Sequence, residues 1–75
     1  MRYSQIRWQC RRGMRELDEL LLKYFEETYL AASEEEKTAF HELLALSDPQ
    51  LKAYLMGGDE TGQAAKERII KQMRN

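Results

Sequence analysis

The sequence is poor in the residues that build metal and nucleophilic sites and in those that interrupt helices. Its 75 residues include one cysteine, one histidine, one proline and four glycines. The single cysteine, Cys10, has no partner for an internal disulfide, which favours a reducing compartment. One histidine and one cysteine are too few for a zinc site, where several such ligands converge. We therefore predict no metal site, and we expect His41 to be a structural histidine.

Long apolar runs and an excess of one charge are also missing. No stretch approaches the roughly 20 apolar residues that cross a bilayer, and the N-terminus lacks a secretory signal. We therefore expect a cytoplasmic protein that does not insert into membranes. The formal net charge is −1, so the molecule as a whole has no electrostatic attraction to nucleic acid. Hydrophobic residues make up 43% of the chain, enough to form a core.

The small size argues for one domain, residues 1–75, and against an enzyme. A chain of this length buries about 60% of its unfolded surface, which leaves little volume for a deep pocket. Nucleophilic catalysis would require Cys10 or a serine beside a base and an orienting group. The arginines near Cys10 would lower its pKa, but Cys10 shares a helical face with Ile6. We favour a buried core cysteine and predict no catalytic residues.

Helical periodicity predicts an all-α fold, a compact bundle of five short helices. Gly13 is expected to end the first helix in a left-handed conformation. Ser33 and Glu36 match a capping box, and Asp48 before Pro49 matches an N-cap. The fifth helix begins without a strong cap. The predicted helices cover residues 4–12, 14–30, 33–46, 48–56 and 62–73.

The apolar positions of these segments fall on one face of each helix and predict the core. The second helix has the clearest stripe, and the fifth has the weakest. The predicted core residues are Ile6, Cys10, Leu17, Leu20, Leu21, Tyr24, Phe25, Phe40, Leu43, Leu44, Leu51, Tyr54, Leu55, Ala65, Ile69, Ile70 and Met73.

Charge is strongly polarised along the chain. Residues 1–15 contain five arginines and no acid, whereas residues 16–36 contain eight acids and one base. Arginine beside Trp8 is typical of protein–protein hot spots, and the same residue types bind nucleic acid by stacking and phosphate contacts. A third interpretation is internal pairing, because Arg12 and Glu16, like Arg15 and Glu19, are four residues apart. Gly13 permits a sharp turn there, which would display Arg11, Arg12, Arg15 and Glu16 at one corner.

The same stretch carries a family signature. Arg12-Gly13-Met14-Arg15-Glu16 fits the RGxxE motif, and residues 8–18 and the later segment from Asp48 to Leu51 extend the match. On these residues the chain resembles the FAD assembly factors of succinate dehydrogenase. The resemblance spans about residues 6–58. Tyr54 stands where members of that family often have tryptophan.

The resemblance implies a five-helix bundle that binds the flavoprotein subunit of succinate dehydrogenase, or of fumarate reductase. It implies that the protein promotes covalent attachment of FAD to a histidine of that subunit without being the enzyme. We expect no tightly bound cofactor, with any FAD contact made through the partner, and a monomer when free. The residues implied to bind the partner are Arg12, Gly13, Glu16, Arg11, Trp8, Arg15 and Asp18.

Two other functions fit the same features. One is a small regulatory protein, such as the antitoxin of a toxin–antitoxin pair. The other is a small nucleic-acid-binding protein that uses the N-terminal arginines. The acidic second and third helices argue against the latter, because they would repel phosphates.

Overall fold

A computed structural model describes residues 3–74. Within that range the chain forms five α-helices, one short 3-10 helix and no strand, which confirms the predicted all-α class. No helix in this range is both long and apolar enough to cross a membrane. The helices are α1 (Tyr3–Gln9), α2 (Arg15–Glu27), α3 (Glu34–Leu44), α4 (Asp48–Leu55) and α5 (Ala64–Arg74), and the 3-10 helix, Tyr29–Ala31, follows α2.

Helix α1 ends three residues earlier than predicted. A longer helix would direct the backbone N–H of Arg12 at the carbonyl of Trp8, but Arg11 N–H already donates to that carbonyl at 3.0 Å. The Arg12 N–H instead donates to Asp18 Oδ1 at 2.6 Å. Gly13 has the predicted positive φ, 78°, but it lies inside the α1–α2 loop rather than directly after the helix.

Helix α2 is also shorter than predicted, because the chain turns at Thr28. The 3-10 helix that follows buries Tyr29, whose ring lies 5.4 Å from that of Phe25 and 5.5 Å from that of Phe40. The Tyr29 hydroxyl and His41 Nε2 are hydrogen-bonded at 2.7 Å. Continuing α2 to Leu30 was therefore a wrong prediction, and Leu30 is exposed.

The first turns of α3 and α4 have the same kind of cap. At α3 the predicted capping box is confirmed, since Ser33 Oγ accepts the N–H of Glu36 and the Glu36 carboxylate accepts the N–H of Ser33. At α4 the N-cap is Ser47, paired with Gln50, rather than Asp48. Asp48 is instead the first residue of the helix, and its carboxylate is available to Arg12.

Most of the predicted core residues are buried, and Ala39 and Tyr29 join them. Leu20, Tyr54 and Ala65 are only partly buried and pack against this core. The buried side chains are Ile6, Cys10, Leu17, Leu21, Tyr24, Phe25, Tyr29, Ala39, Phe40, Leu43, Leu44, Leu51, Leu55, Ile69, Ile70 and Met73.

Helix α5 closes the bundle by packing against α2, α3 and α4. Lys66 Nζ lies 3.2 Å from a Glu42 oxygen across the α3–α5 seam. At the start of α5, the backbone N–H and the hydroxyl of Thr61 both donate to the Glu67 carboxylate, at 2.9 and 2.8 Å. These bonds lower the pKa of Glu67. They stabilise the start of α5, where the sequence showed no strong cap. The helix begins two residues later than predicted.

Candidate functional site

The predicted partner-binding residues all lie where α1 turns into α2. We call this region the α1–α2 corner and define it by Trp8, Arg11, Gly13, Arg15 and Glu16. Two further residues of the predicted set, Arg12 and Asp18, support it from inside. The seven residues of the predicted set all lie within residues 8–18.

The Arg12 guanidinium points into the protein. Its Nε donates to the carbonyl of Gln9 at 3.0 Å, and its Nη1 donates to the carbonyl of Leu46 at 3.0 Å and to Asp48 Oδ1 at 3.3 Å. Its Nη2 donates to the carbonyl of Leu44. Only 15% of the Arg12 side chain is exposed. The Leu44 carbonyl belongs to the last turn of α3, where carbonyls lack helical partners and attract positive charge.

Asp18 holds the same loop from the other side. Its carboxylate accepts the backbone N–H of Arg12 across a sequence separation of six residues. Helix α2 begins without a side-chain cap at Met14, and Asp18, an acid of its first turn, bonds the preceding loop instead. The loop is bonded to α2 through Asp18 and to the α3–α4 junction through Arg12.

Gly13 is exposed at the tip of this loop. With φ at 78°, its backbone conformation is one that other residues adopt only at a cost. A Cβ atom added there would meet no other heavy atom within 4 Å, leaving out the chain neighbours of Gly13. A larger side chain at this position would therefore project away from the protein, toward any molecule bound at the corner.

The outward-facing side chains of the corner include a large aromatic. Trp8 is 74% exposed, more than Tyr3, Leu30 and Met56, the other large apolar side chains exposed within residues 3–74. It lines a shallow depression of about 400 Å³ together with Ser4, Gln5 and Gln9. A tryptophan that lies open in the free protein gains most when a partner covers it.

Internal pairing uses much of the arginine cluster. Arg7 lies 2.6 Å from Glu26, and this contact raises the pKa of Arg7. The predicted pair of Arg15 and Glu19 is present at 3.2 Å and is largely exposed. Arg12 pairs with Asp48 rather than with Glu16. Among residues 3–74, Arg11 and Glu16 form no ion pair, and Arg2 lies outside the described residues.

Cys10 and His41 both have structural roles. Cys10 is fully buried, and burial raises its pKa to about 11 against the opposing effect of Arg12 and Arg7. The thiol is therefore protonated at neutral pH, and activation by the arginines does not occur. His41 is half-buried against Tyr29. Residues 3–74 contain no group of three or more His, Cys, Asp or Glu side chains placed to hold a metal ion.

Comparison with known proteins shows the family to which this chain belongs. Residues 4–75 match the family model described as flavinator of succinate dehydrogenase. The chain belongs to this family. The match extends the resemblance beyond residues 6–58 to the whole of α5, which the sequence motifs alone did not cover.

Several relatives carry the name FAD assembly factor SdhE. The protein of Shewanella oneidensis is 38% identical over 74 residues, which cover 99% of this chain and 90% of the relative. That of Pectobacterium atrosepticum is 42% identical over 67 residues, covering 89% of this chain and 76% of the relative. That of Coxiella burnetii is 39% identical over 70 residues, covering 93% and 85%.

Sequence reasoning missed the Asp48 carboxylate, which lies 3.3 Å from Nη1 of Arg12 and supports the corner through it. Asp48 belongs to the second segment that carries the family resemblance, but its local context suggested a helix cap. Its contact with Arg12 joins residues 36 positions apart, and a local pattern holds no signal for such a contact.

Proposed function

We propose that this protein is an assembly factor that binds the flavoprotein subunit of succinate dehydrogenase and promotes covalent attachment of FAD to it. The observation that carries the proposal is the family match over residues 4–75, with relatives named FAD assembly factors. The flavoprotein of fumarate reductase is a second substrate of the same kind.

The protein acts as a chaperone, and the flavin bond forms on the partner. Cys10, its one thiol, is buried and protonated, and His41, its one imidazole, is bonded to Tyr29. Neither group is offered to a substrate. The contribution of the protein is then to hold the flavoprotein in a conformation in which its own residues react with FAD.

Docking takes place through the α1–α2 corner. Trp8 supplies apolar area, Arg11 and Arg15 supply donors in the fork geometry that suits carboxylates, and Glu16 supplies an acceptor. Gly13 lets the partner's backbone approach closely, because no side chain covers the loop there. Neither Arg11 nor Glu16 forms an ion pair within residues 3–74, so binding does not have to break one there.

FAD stays with the partner and reaches this protein only at the shared interface. The protein holds no flavin tightly when free, and we place its action in the cytoplasm, where Cys10 stays reduced.

A reconstituted reaction tests the proposal. Purified flavoprotein lacking covalent flavin is incubated with FAD, with and without this protein, and covalent flavin is read as fluorescence on a denaturing gel. We expect the protein to accelerate the appearance of the fluorescent band. Arg11→Ala should slow it, whereas Lys52→Ala, which removes an exposed charge from α4, should not. Equal rates with and without the protein would refute the proposal.

A further inference from the structure

We infer that Arg12 of the RGxxE signature is a positioning residue: it holds the α1–α2 corner in its binding shape and leaves contact with the flavoprotein to Gly13, Glu16 and Arg11. The inference rests on the proposed function and divides the signature into one inward and two outward residues.

The hydrogen-bonding capacity of Arg12 is nearly exhausted inside the protein. A guanidinium has five N–H donors. Four hydrogen bonds from Arg12 end on Gln9, Leu44, Leu46 and Asp48. A partner carboxylate that bound this fork at both ends would have to displace the carbonyls of Leu44 and Leu46, which lie at and just after the end of α3, where helical donors run out.

The bonds of Arg12 determine where Gly13 lies. The side chain of Arg12 ties the loop to the α3–α4 junction, and its backbone N–H ties the loop to Asp18 on α2. Gly13 is the next residue, so its position follows from these two attachments. Lysine would not replace this clamp, because one ammonium cannot reach acceptors that the planar fork reaches from three nitrogens.

The two arginines of the corner, Arg11 and Arg15, are placed differently from Arg12. The Arg15 side chain is 89% exposed, and its ion pair with Glu19 lies at the surface. Such a pair contributes little to the free energy of folding. Arg11 is exposed and makes no ion pair within residues 3–74. These two side chains are free to turn toward a partner at little cost, whereas the Arg12 side chain is not.

Nitrogen-15 labelling of arginine in the full chain tests the inference directly. The Nε–H signal of Arg12 should exchange slowly with water in the free protein and keep its chemical shift when unlabelled flavoprotein is added. The Arg11 signal should exchange fast when free and shift on binding. A large shift of the Arg12 signal, or fast exchange in the free protein, would overturn the inference.

Binding kinetics provide a second test that does not depend on one variant folding. Arg12→Gln and Arg12→Lys should both raise the dissociation rate about tenfold or more. Asp48→Asn should raise it by a smaller factor and should add nothing in the Arg12→Gln background, because both changes open one clamp. Independent effects of Arg12→Gln and Asp48→Asn, or wild-type binding by Arg12→Lys, would contradict the inference.

The two levels of proposal fail differently. If the wild-type chain does not bind the flavoprotein, the proposed function fails and the inference fails with it. If the wild type binds and Gly13→Arg does not, the corner is the docking site, and only the behaviour of Arg12 and Asp48 then decides the inference.

Discussion

Gly13 combines two properties at a single residue. Its φ of 78° disfavours any side chain, and the space beyond its Cα is open. The first property affects stability and the second affects only what binds there. Gly58 has the same combination, with φ at 80° and no heavy atom within 4 Å of an added Cβ, but it lies in the loop after α4. It is therefore a matched control for backbone strain.

Replacing Gly13 by arginine should separate folding from binding. Gly13→Arg and Gly58→Arg should each lower the free energy of unfolding by about 1 kcal/mol, measured by urea denaturation. Only Gly13→Arg should lose flavoprotein binding, by about a hundredfold or more, because its side chain projects into the interface. Equal affinities of the two variants for the flavoprotein would show that the corner is not part of the interface.

Cys10 gives the protein a sensitivity to alkaline pH. Burial raises the pKa of the Cys10 thiol from 9.0 to about 11, and it raises the pKa of the Tyr24 hydroxyl from 10.0 to about 12. The unfolded chain therefore releases these protons first, so the free energy of unfolding is at its full value below about pH 9 and falls as pH rises from there.

Ionisation of Cys10 should lower the free energy of unfolding by about 2 kcal/mol at pH 11. Urea denaturation at pH 8 to 11 measures it. Cys10→Ala should be less stable at pH 8 because a buried atom is lost, but its stability should fall less steeply between pH 9 and 10. A wild-type stability that is flat from pH 8 to 11 would contradict this account.

At the scale of elements, periodicity predicted the number and order of the helices, and local caps predicted some of their ends. The Ser33 capping box is a signal within four residues, and it was read correctly. The errors in the helix ends come from contacts that a local pattern does not contain. Helix α1 ends early because the Arg12 N–H donates to Asp18 on α2. Helix α2 ends early because the Tyr29 ring packs against aromatic rings of the core. Arg12 itself was predicted at the corner, but its inward direction depends on α3 and α4.

The two serine caps should differ in their effect on function. Ser33→Ala and Ser47→Ala should each lower the free energy of unfolding by about 1 kcal/mol. Ser47 starts the helix whose first residue, Asp48, contacts Arg12, so Ser47→Ala should also weaken flavoprotein binding, by a few fold. Ser33→Ala should not, because its cap lies at the other end of α3. Calorimetric titration with the flavoprotein checks this, and equal binding losses would refute the link between α4 and the corner.

At the scale of the whole molecule, much of the positive charge near the N-terminus is paired with acidic side chains of the same chain. Arg7 and Arg15 pair with Glu26 and Glu19 of α2, and Arg12 pairs with Asp48 of α4. What remains outward at the corner is a small mixed surface of one aromatic, two arginines and one acid. Such a surface suits a specific protein partner better than a polyanion.

The free protein should be a monomer. Its accessible surface is 4910 Å², so an ordinary dimer interface of about 800 Å² per partner would cover about a sixth of it. In the described part of the chain, the large exposed apolar side chains lie on different elements: Tyr3 and Trp8 on α1, Leu30 on the 3-10 helix and Met56 after α4. Sedimentation equilibrium should give a mass near 8.9 kDa. A mass near twice that value at micromolar concentration would contradict the prediction.

The central claim, that this protein promotes flavin attachment through the α1–α2 corner, is tested most directly in cells that lack its gene. Their proteins are separated on a denaturing gel, and covalent flavin is read as fluorescence at the size of the succinate dehydrogenase flavoprotein. We predict that the band is lost, that the wild-type chain and Gly58→Arg restore it, and that Gly13→Arg and Glu16→Ala do not. An undiminished band in the deletion strain would contradict the assembly role, and full restoration by Gly13→Arg would contradict the corner.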